Sequence, residues 1–158
     1  MISINGVDVV TGGGVGSIVF VSPGGVVSGT GTISLTLVNN DRITRELSGS
    51  NANYNYYHEF VLPEDFDSFP SNAFRIETNR SNSGNDVLIT LGKEGVADET
   101  VNGLTAGFDA SLNTWSIRYL TPSSIYSAGD RILMKINITT SGNTLTRISN
   151  PILSYNKK

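Results

Sequence analysis

The chain contains no cysteine among its 158 residues, so a disulfide framework, a thiolate metal site and a cysteine nucleophile are all excluded. Charge is sparse as well. Only 16% of the residues are charged, against about a quarter in ordinary globular proteins, and the eleven lysines and arginines are scattered singly under a net charge of −3. Phosphate binding needs clustered cations to displace condensed counterions, so nucleic acid is not an expected partner. No apolar run approaches the roughly eighteen residues that span a bilayer, and no membrane partner is expected. The opening stretch MISINGVDVVTGGG has neither a basic start nor a sustained apolar core, so it is not read as a secretory signal. Helical patterning is equally scarce: only Val96 to Leu104 and Pro122 to Ser127 suit a turn or two.

What is present is 17 glycines and long runs of Ser, Thr and Asn, a profile of many turns and uncharged polar faces. Segments with period-two alternation recur between turn residues at Ser17 to Val21, Thr32 to Val38, Asn55 to Leu62, Ala73 to Thr78, Asp86 to Leu91, Leu112 to Leu120, Arg131 to Thr139 and Thr144 to Tyr155, with Arg42 to Leu47 as a weaker ninth. The expected fold is therefore all-β: an antiparallel sandwich of jelly-roll type with about eight or nine strands in one domain over residues 1–158. Three stripes are the expected core: Ile33, Leu35 and Leu37; Trp115, Ile117 and Tyr119; and Ile132, Met134, Ile136 and Ile138. Hairpins are expected at Ile138 to Leu145, through Gly142 and Asn143, and at Phe74 to Ile89. Residues 92–111 form the longest stretch without a strand signal and are a first place to look for a contact surface.

The start of the chain differs from the rest. It carries Gly12, Gly13, Gly14, Gly16, Gly24, Gly25, Gly29 and Gly31, with Asp8 as its one charge. Residues 1–31 suit a docking arm, or a strand pressed against other backbone.

Candidate chemistry is thin. The run Gly12-Gly13-Gly14-Val15-Gly16 resembles a phosphate-cradling loop, but a β-type run follows it where a helix is required, so a turn is the better reading. His58, the one histidine, alternates with Tyr56 and Phe60 and reads as structural rather than catalytic. Glu59, Glu64, Asp65 and Asp67 form the densest acidic group, without the spacing of a calcium loop, and read as a solvated turn. No metal, cofactor or catalytic residues are therefore assigned, and the chain is expected not to be an enzyme. Tyr54, Tyr56 and Tyr57 lie among asparagines, the usual materials of sugar binding and of protein interfaces. They are the candidate ligand or partner contacts, with Tyr57 expected on the face opposite Tyr54 and Tyr56.

Three segments taken in order carry a resemblance: Tyr56 to Phe66, ending in a Leu-Pro-acid turn; Ser83 to Ile89, opened by Ser-Gly-Asn; and Ala128 to Ile136, opened by Gly-Asp. Together they resemble a β-sandwich module of tailed-bacteriophage virion proteins over about Asn53 to Tyr155. The resemblance implies a non-enzymatic head decoration, fibre or tail appendage on the particle exterior, and self-association, with a trimer favoured. It also implies contacts with other virion proteins, and a protein made in the host cytoplasm and released to the virion without a signal peptide. The alternative on the same fold is a carbohydrate-binding or host-receptor-binding module.

Overall fold

A computed structural model describes residues 2–4, 7–12, 14–20, 26–38, 42–101, 112–123 and 125–158. Among them there is no helix and there are thirteen strands: β1 (Ile2–Ile4), β2 (Val7–Gly12), β3 (Val15–Phe20), β4 (Val26–Val38), β5 (Arg42–Val61), β6 (Phe66–Ser68), β7 (Phe74–Arg80), β8 (Asp86–Lys93), β9 (Val96–Val101), β10 (Ser116–Leu120), β11 (Arg131–Thr139), β12 (Asn143–Ser149) and β13 (Ile152–Lys157). Every pairing is antiparallel, and the fold is the all-β sandwich that the alternation predicts.

The two layers come from one sheet that folds over on itself. In β5, residues 53–61 pair with β11 and with the start of β4, whereas residues 42–50 pair with β12 and with the end of β4. Register shows that the chain does not reverse between β11 and β12: Thr139 lies opposite Asn53 and Asn143 opposite Ser50, so both strands run on along β5. Likewise β7 and β8 flank β12 and β11 in continuous order, with Arg80 opposite Thr146 and Asp86 opposite Thr139. The expected hairpins at Ile138 to Leu145 and Phe74 to Ile89 are therefore bends. Gly142 does adopt the expected positive φ, but turn chemistry fixes a local change of direction, not the partner.

Strands β4, β5, β11–β12 and β7–β8 all bend at one corner, and a corner of this kind needs bulges and permissive backbone. Gly29, Gly31 and Gly49 have φ of 147°, 100° and 139°, and Asn51 has 51°. A Cβ on Gly29 would lie 2.1 Å from the Asn53 carbonyl oxygen, so backbone fills the space a side chain would take. Thr140 ties the bend: its hydroxyl accepts from Ala52 N at 2.8 Å and donates to the Gly49 carbonyl at 2.9 Å. Asn85, fully buried, donates to the Leu145 carbonyl and accepts from Ser141 N and the Thr144 hydroxyl.

The glycine-rich start is strand at every described residue except the turn at Gly14. Strands β2 and β3 form a tight hairpin with Gly12 opposite Val15, β3 continues onto β13, and β4 lies along the length of β5. Ring packing explains one glycine, since a Cβ on Gly16 would collide with the Tyr155 ring.

Ile132, Met134, Ile136 and Ile138 are buried as expected, joined by Phe74, Ile76, Val87, Ile89, Leu91, Ile148, Leu153 and Tyr155. Ile33 packs at the edge of this cluster, and the side chains of Leu35 and Leu37 lie outside the described residues. The Trp115, Ile117 and Tyr119 stripe is a correction: Ile117 is 46% and Tyr119 53% exposed, and Leu120 is the buried residue of β10. The register explains it, because Arg118 and Leu120 lie opposite the inward-facing Ile76 and Phe74, which turns Ile117 and Tyr119 to the other face. The stretch 92–111 is corrected in part, since β8 runs to Lys93 and β9 occupies Val96–Val101, where a helical turn was the alternative. Residues 102–111 lie outside the described residues.

Candidate functional site

Alternation along β5 separates the three tyrosines of the candidate contact. Tyr56 lies opposite Ile136 and points between the layers, 5% exposed, with Tyr54 half-buried beside it at 5.5 Å between ring centroids. Burial pushes the Tyr56 phenol up to about 12, the nearby Arg45 charge opposing the shift. Tyr57 lies opposite Lys135 on the outer face and is half-buried. Of the three, Tyr57 is the one on the outer face, since Tyr54, though also half-buried, packs against the core.

The outer face of this layer is laid out by the registers of β5, β11 and β8 in successive rows. These are Asn53–Thr139–Asp86, Asn55–Asn137–Leu88, Tyr57–Lys135–Thr90 and Glu59–Leu133–Gly92, with Val61–Arg131 at the end. The Lys135 ammonium lies 6.0 Å from the centre of the Tyr57 ring. Asn137 Nδ2 donates to Asn53 Oδ1 at 2.6 Å and to Asn55 Oδ1 at 2.8 Å, and reaches the Tyr54 carbonyl at 3.5 Å. Glu59 and Arg131 pair at 2.9 Å at the far end. Leu133 and Val61, 46% and 55% exposed, extend the apolar surface beyond Tyr57. Sequence reasoning missed Lys135, Asn137 and Asn55, and the available signal was positional: the residues between Ile132, Met134, Ile136 and Ile138 must all share the opposite face.

A second outward stripe, Ile117 and Tyr119 on β10 with the half-buried Trp115 before it, lies next to Glu77 and Arg75. That pair is engaged with itself at 2.6 Å. The Tyr57 face differs in joining an aromatic ring to polar groups with bonding capacity left over.

The other candidates disperse. His58 faces inward opposite Met134, and burial, with the Arg45 charge adding to it, lowers its pKa to about 4, so it is a neutral interior side chain at pH 7. The acidic group is divided among separate partners: Glu59 to Arg131, Asp65 to the Tyr155 hydroxyl and Lys157, and Asp67 to the Ser68 hydroxyl. Asp130 pairs with Lys93 at 2.6 Å. The Lys93 hydrogen bond holds its carboxyl below the usual carboxylate range, desolvation opposes, and the Ser127 amide adds to the lowering.

The sequence matches no protein-family model and no curated protein. Among solved structures, the chain is similar to TmCBM61, solved in complex with β-1,4-galactotriose, at TM-score 0.56 and 12% identity over 84% of this chain and 88% of that one. It is also similar to a family 29 carbohydrate-binding module, at TM-score 0.50 and 13% identity over 89% of this chain and 88% of that one. A weaker likeness, TM-score 0.47 at 17% identity, joins 84% of this chain to 19% of tailspike protein 4 of bacteriophage CBA120. At these identities the likeness establishes the β-sandwich fold. The neighbours with the stronger likeness are carbohydrate-binding modules rather than virion components.

Proposed function

We propose that this chain is a non-catalytic carbohydrate-binding module whose ligand lies on the outer face built by β5, β11 and β8. The observation that carries the proposal is the half-buried Tyr57 ring on the outer face, with Lys135 on one side and the amides of Asn55, Asn137 and Asn53 along the strands. A sugar ring offers C–H groups to an aromatic face and hydroxyls to the polar atoms around it, and strand geometry supplies both from one rigid surface. The shared fold with two carbohydrate-binding modules supports this reading. The test is a glycan array followed by titration calorimetry on the wild type and on Tyr57→Ala: binding that Tyr57→Ala removes supports the proposal, and a folded wild type with no affinity for any glycan overturns it.

Placement on a tailed-phage virion, as a decoration, fibre or tail appendage, is a second proposal. Its support is that the three turns behind the resemblance are formed as turns: Phe66 N donates to the Pro63 carbonyl, Asn85 N to the Asn82 carbonyl and Asp130 N to the Ser127 carbonyl. It carries with it a homo-oligomer, trimeric by preference, so light scattering that reports a monomer at high concentration would count against it. The two proposals are compatible, since an appendage can hold its host through a surface glycan.

A further inference from the structure

Granting the Tyr57 face as the sugar site, its bonding inventory selects among sugars. Asn137 spends its Nδ2 on Asn53 Oδ1 and Asn55 Oδ1, and the same end of the amide faces the Tyr54 carbonyl at 3.5 Å. The Oδ1 atoms of Asn53 and Asn55 each accept one bond there, their Nδ2 groups remain to donate, and Asn137 Oδ1 is the spare acceptor of the row. In the row next to Asn55 and Asn137 stand Lys135 and Tyr57, and the contact shown for the Lys135 ammonium is the Tyr57 ring. The acid on this face nearest to it along β5, Glu59, is taken by Arg131 at 2.9 Å. Among the described residues the centre of the face thus holds donors in excess and one cation with no carboxylate partner.

We infer that this face takes an acidic saccharide, with the carboxylate of a uronic acid residue bound by Lys135 and the Asn55 amide while its ring lies over Tyr57. A carboxylate is an acceptor only, so it complements the Lys135 ammonium and the spare Nδ2 groups, while the sugar hydroxyls can donate to Asn137 Oδ1, and a charge-assisted bond is roughly twice as strong as a neutral one. The Lys135 ammonium already lies 6.0 Å from the centre of the Tyr57 ring, which places the charge beside a sugar on that ring.

The experiment is calorimetry with one set of oligouronides, free and with their carboxyl groups methyl-esterified, on the wild type, Lys135→Gln and Tyr57→Ala at low and high salt. The free acid is expected to bind about tenfold tighter than the ester, with the advantage shrinking at high salt. Lys135→Gln is expected to bring the ratio of acid to ester affinity down to about twofold or less, and Tyr57→Ala to weaken both ligands. Equal binding of acid and ester by the wild type overturns the acidic specificity and leaves the sugar site standing. If Lys135→Gln keeps the full preference, the assignment to Lys135 is overturned. No binding of any saccharide overturns the inference together with the function on which it rests.

Discussion

Arg45 and Tyr56 belong to the same strand, yet the Arg45 guanidinium carbon lies 5.1 Å from the centre of the Tyr56 ring. Eleven positions of extended chain cover roughly 36 Å, so β5 must turn back over itself between them. The contact is a cross-layer one, and Arg45, 3% exposed, enters the core where no carboxylate faces it among the described residues. Its Nη1 donates to Asn150 Oδ1 at 3.0 Å, while Nη2 and the Tyr56 hydroxyl are buried without a hydrogen-bond partner. Desolvation lowers the Arg45 pKa, the Tyr56 phenol opposing the shift.

A buried, unpaired cation contributes packing more than charge. Arg45→Met keeps most of the volume and removes the desolvation cost, so its stability in urea is expected to stay within about 1 kcal/mol of the wild type or to rise. Arg45→Ala leaves a cavity and is expected to lose about 2–4 kcal/mol. A loss of that size in Arg45→Met would show that the charge itself stabilises the fold.

His58 gives the fold an acid sensitivity. Its pKa is about 4 in the folded chain and near 6.5 when unfolded. As pH falls through that window the unfolded chain takes up the proton first, so stability that is fully present above about 6.5 is lost towards 4. After allowance for partial solvent access the loss is on the order of 2 kcal/mol. Denaturant melts of the wild type and His58→Gln at several pH values should diverge across this interval. Arg45→Met should raise the His58 pKa seen by NMR without bringing it to 6.5, because burial, the larger cause, remains. Parallel pH profiles for wild type and His58→Gln would refute the assignment.

At the corner, Gly29→Ala forces a β-carbon against the Asn53 carbonyl at a φ of 147°. A loss of at least about 2 kcal/mol is expected, from strain and collision together. Thr140→Val leaves the Ala52 amide without its acceptor and is expected to cost about 1–3 kcal/mol. The control is Gly95→Ala, where nothing lies within 4 Å of the new carbon and the positive φ of 78° is the one penalty. Should all three melt alike, the corner would not be the constrained element described here.

For glycan binding the tyrosines are expected to separate by face. Tyr57→Ala removes affinity at unchanged stability, whereas Tyr56→Ala lowers stability by about 3–5 kcal/mol, as for a buried aromatic. Tyr119→Ala, on the other layer, should change neither by much. If Tyr119→Ala abolished binding and Tyr57→Ala did not, the site would move to β10.

Alternation made the strands legible. Arg131–Thr139 carries its buried apolar residues at every second position, and that strand begins and ends where the pattern does. The long strands were harder to see, because the inward parity of β5 switches at the corner: Arg45 and Leu47 face in before it, and Tyr56, His58 and Phe60 after it. A switch in parity around glycine and asparagine looks like a loop between two strands, which is why β5 read as two segments and why the bends at Gly142 and at residues 81–85 read as hairpins.

Tyr57 was visible as one of three tyrosines, and period two alone set it apart from Tyr54 and Tyr56. Its neighbours Lys135 and Asn137 are far away in sequence and meet it only through cross-strand register. The outward turn of Ile117 and Tyr119 was likewise hidden, since alternation says that two faces differ and not which one is wet.

By itself, then, the sequence determined that the chain is built of strands, which residues share a face, and what chemistry is unavailable to it. Those properties follow from residue type and from local backbone geometry. The tertiary structure decided which strands pair, that one sheet folds over at a corner to make both layers, and which face meets solvent. Pairing and burial depend on contacts between segments distant in the chain, and the free energy of such a contact is not encoded in either segment alone.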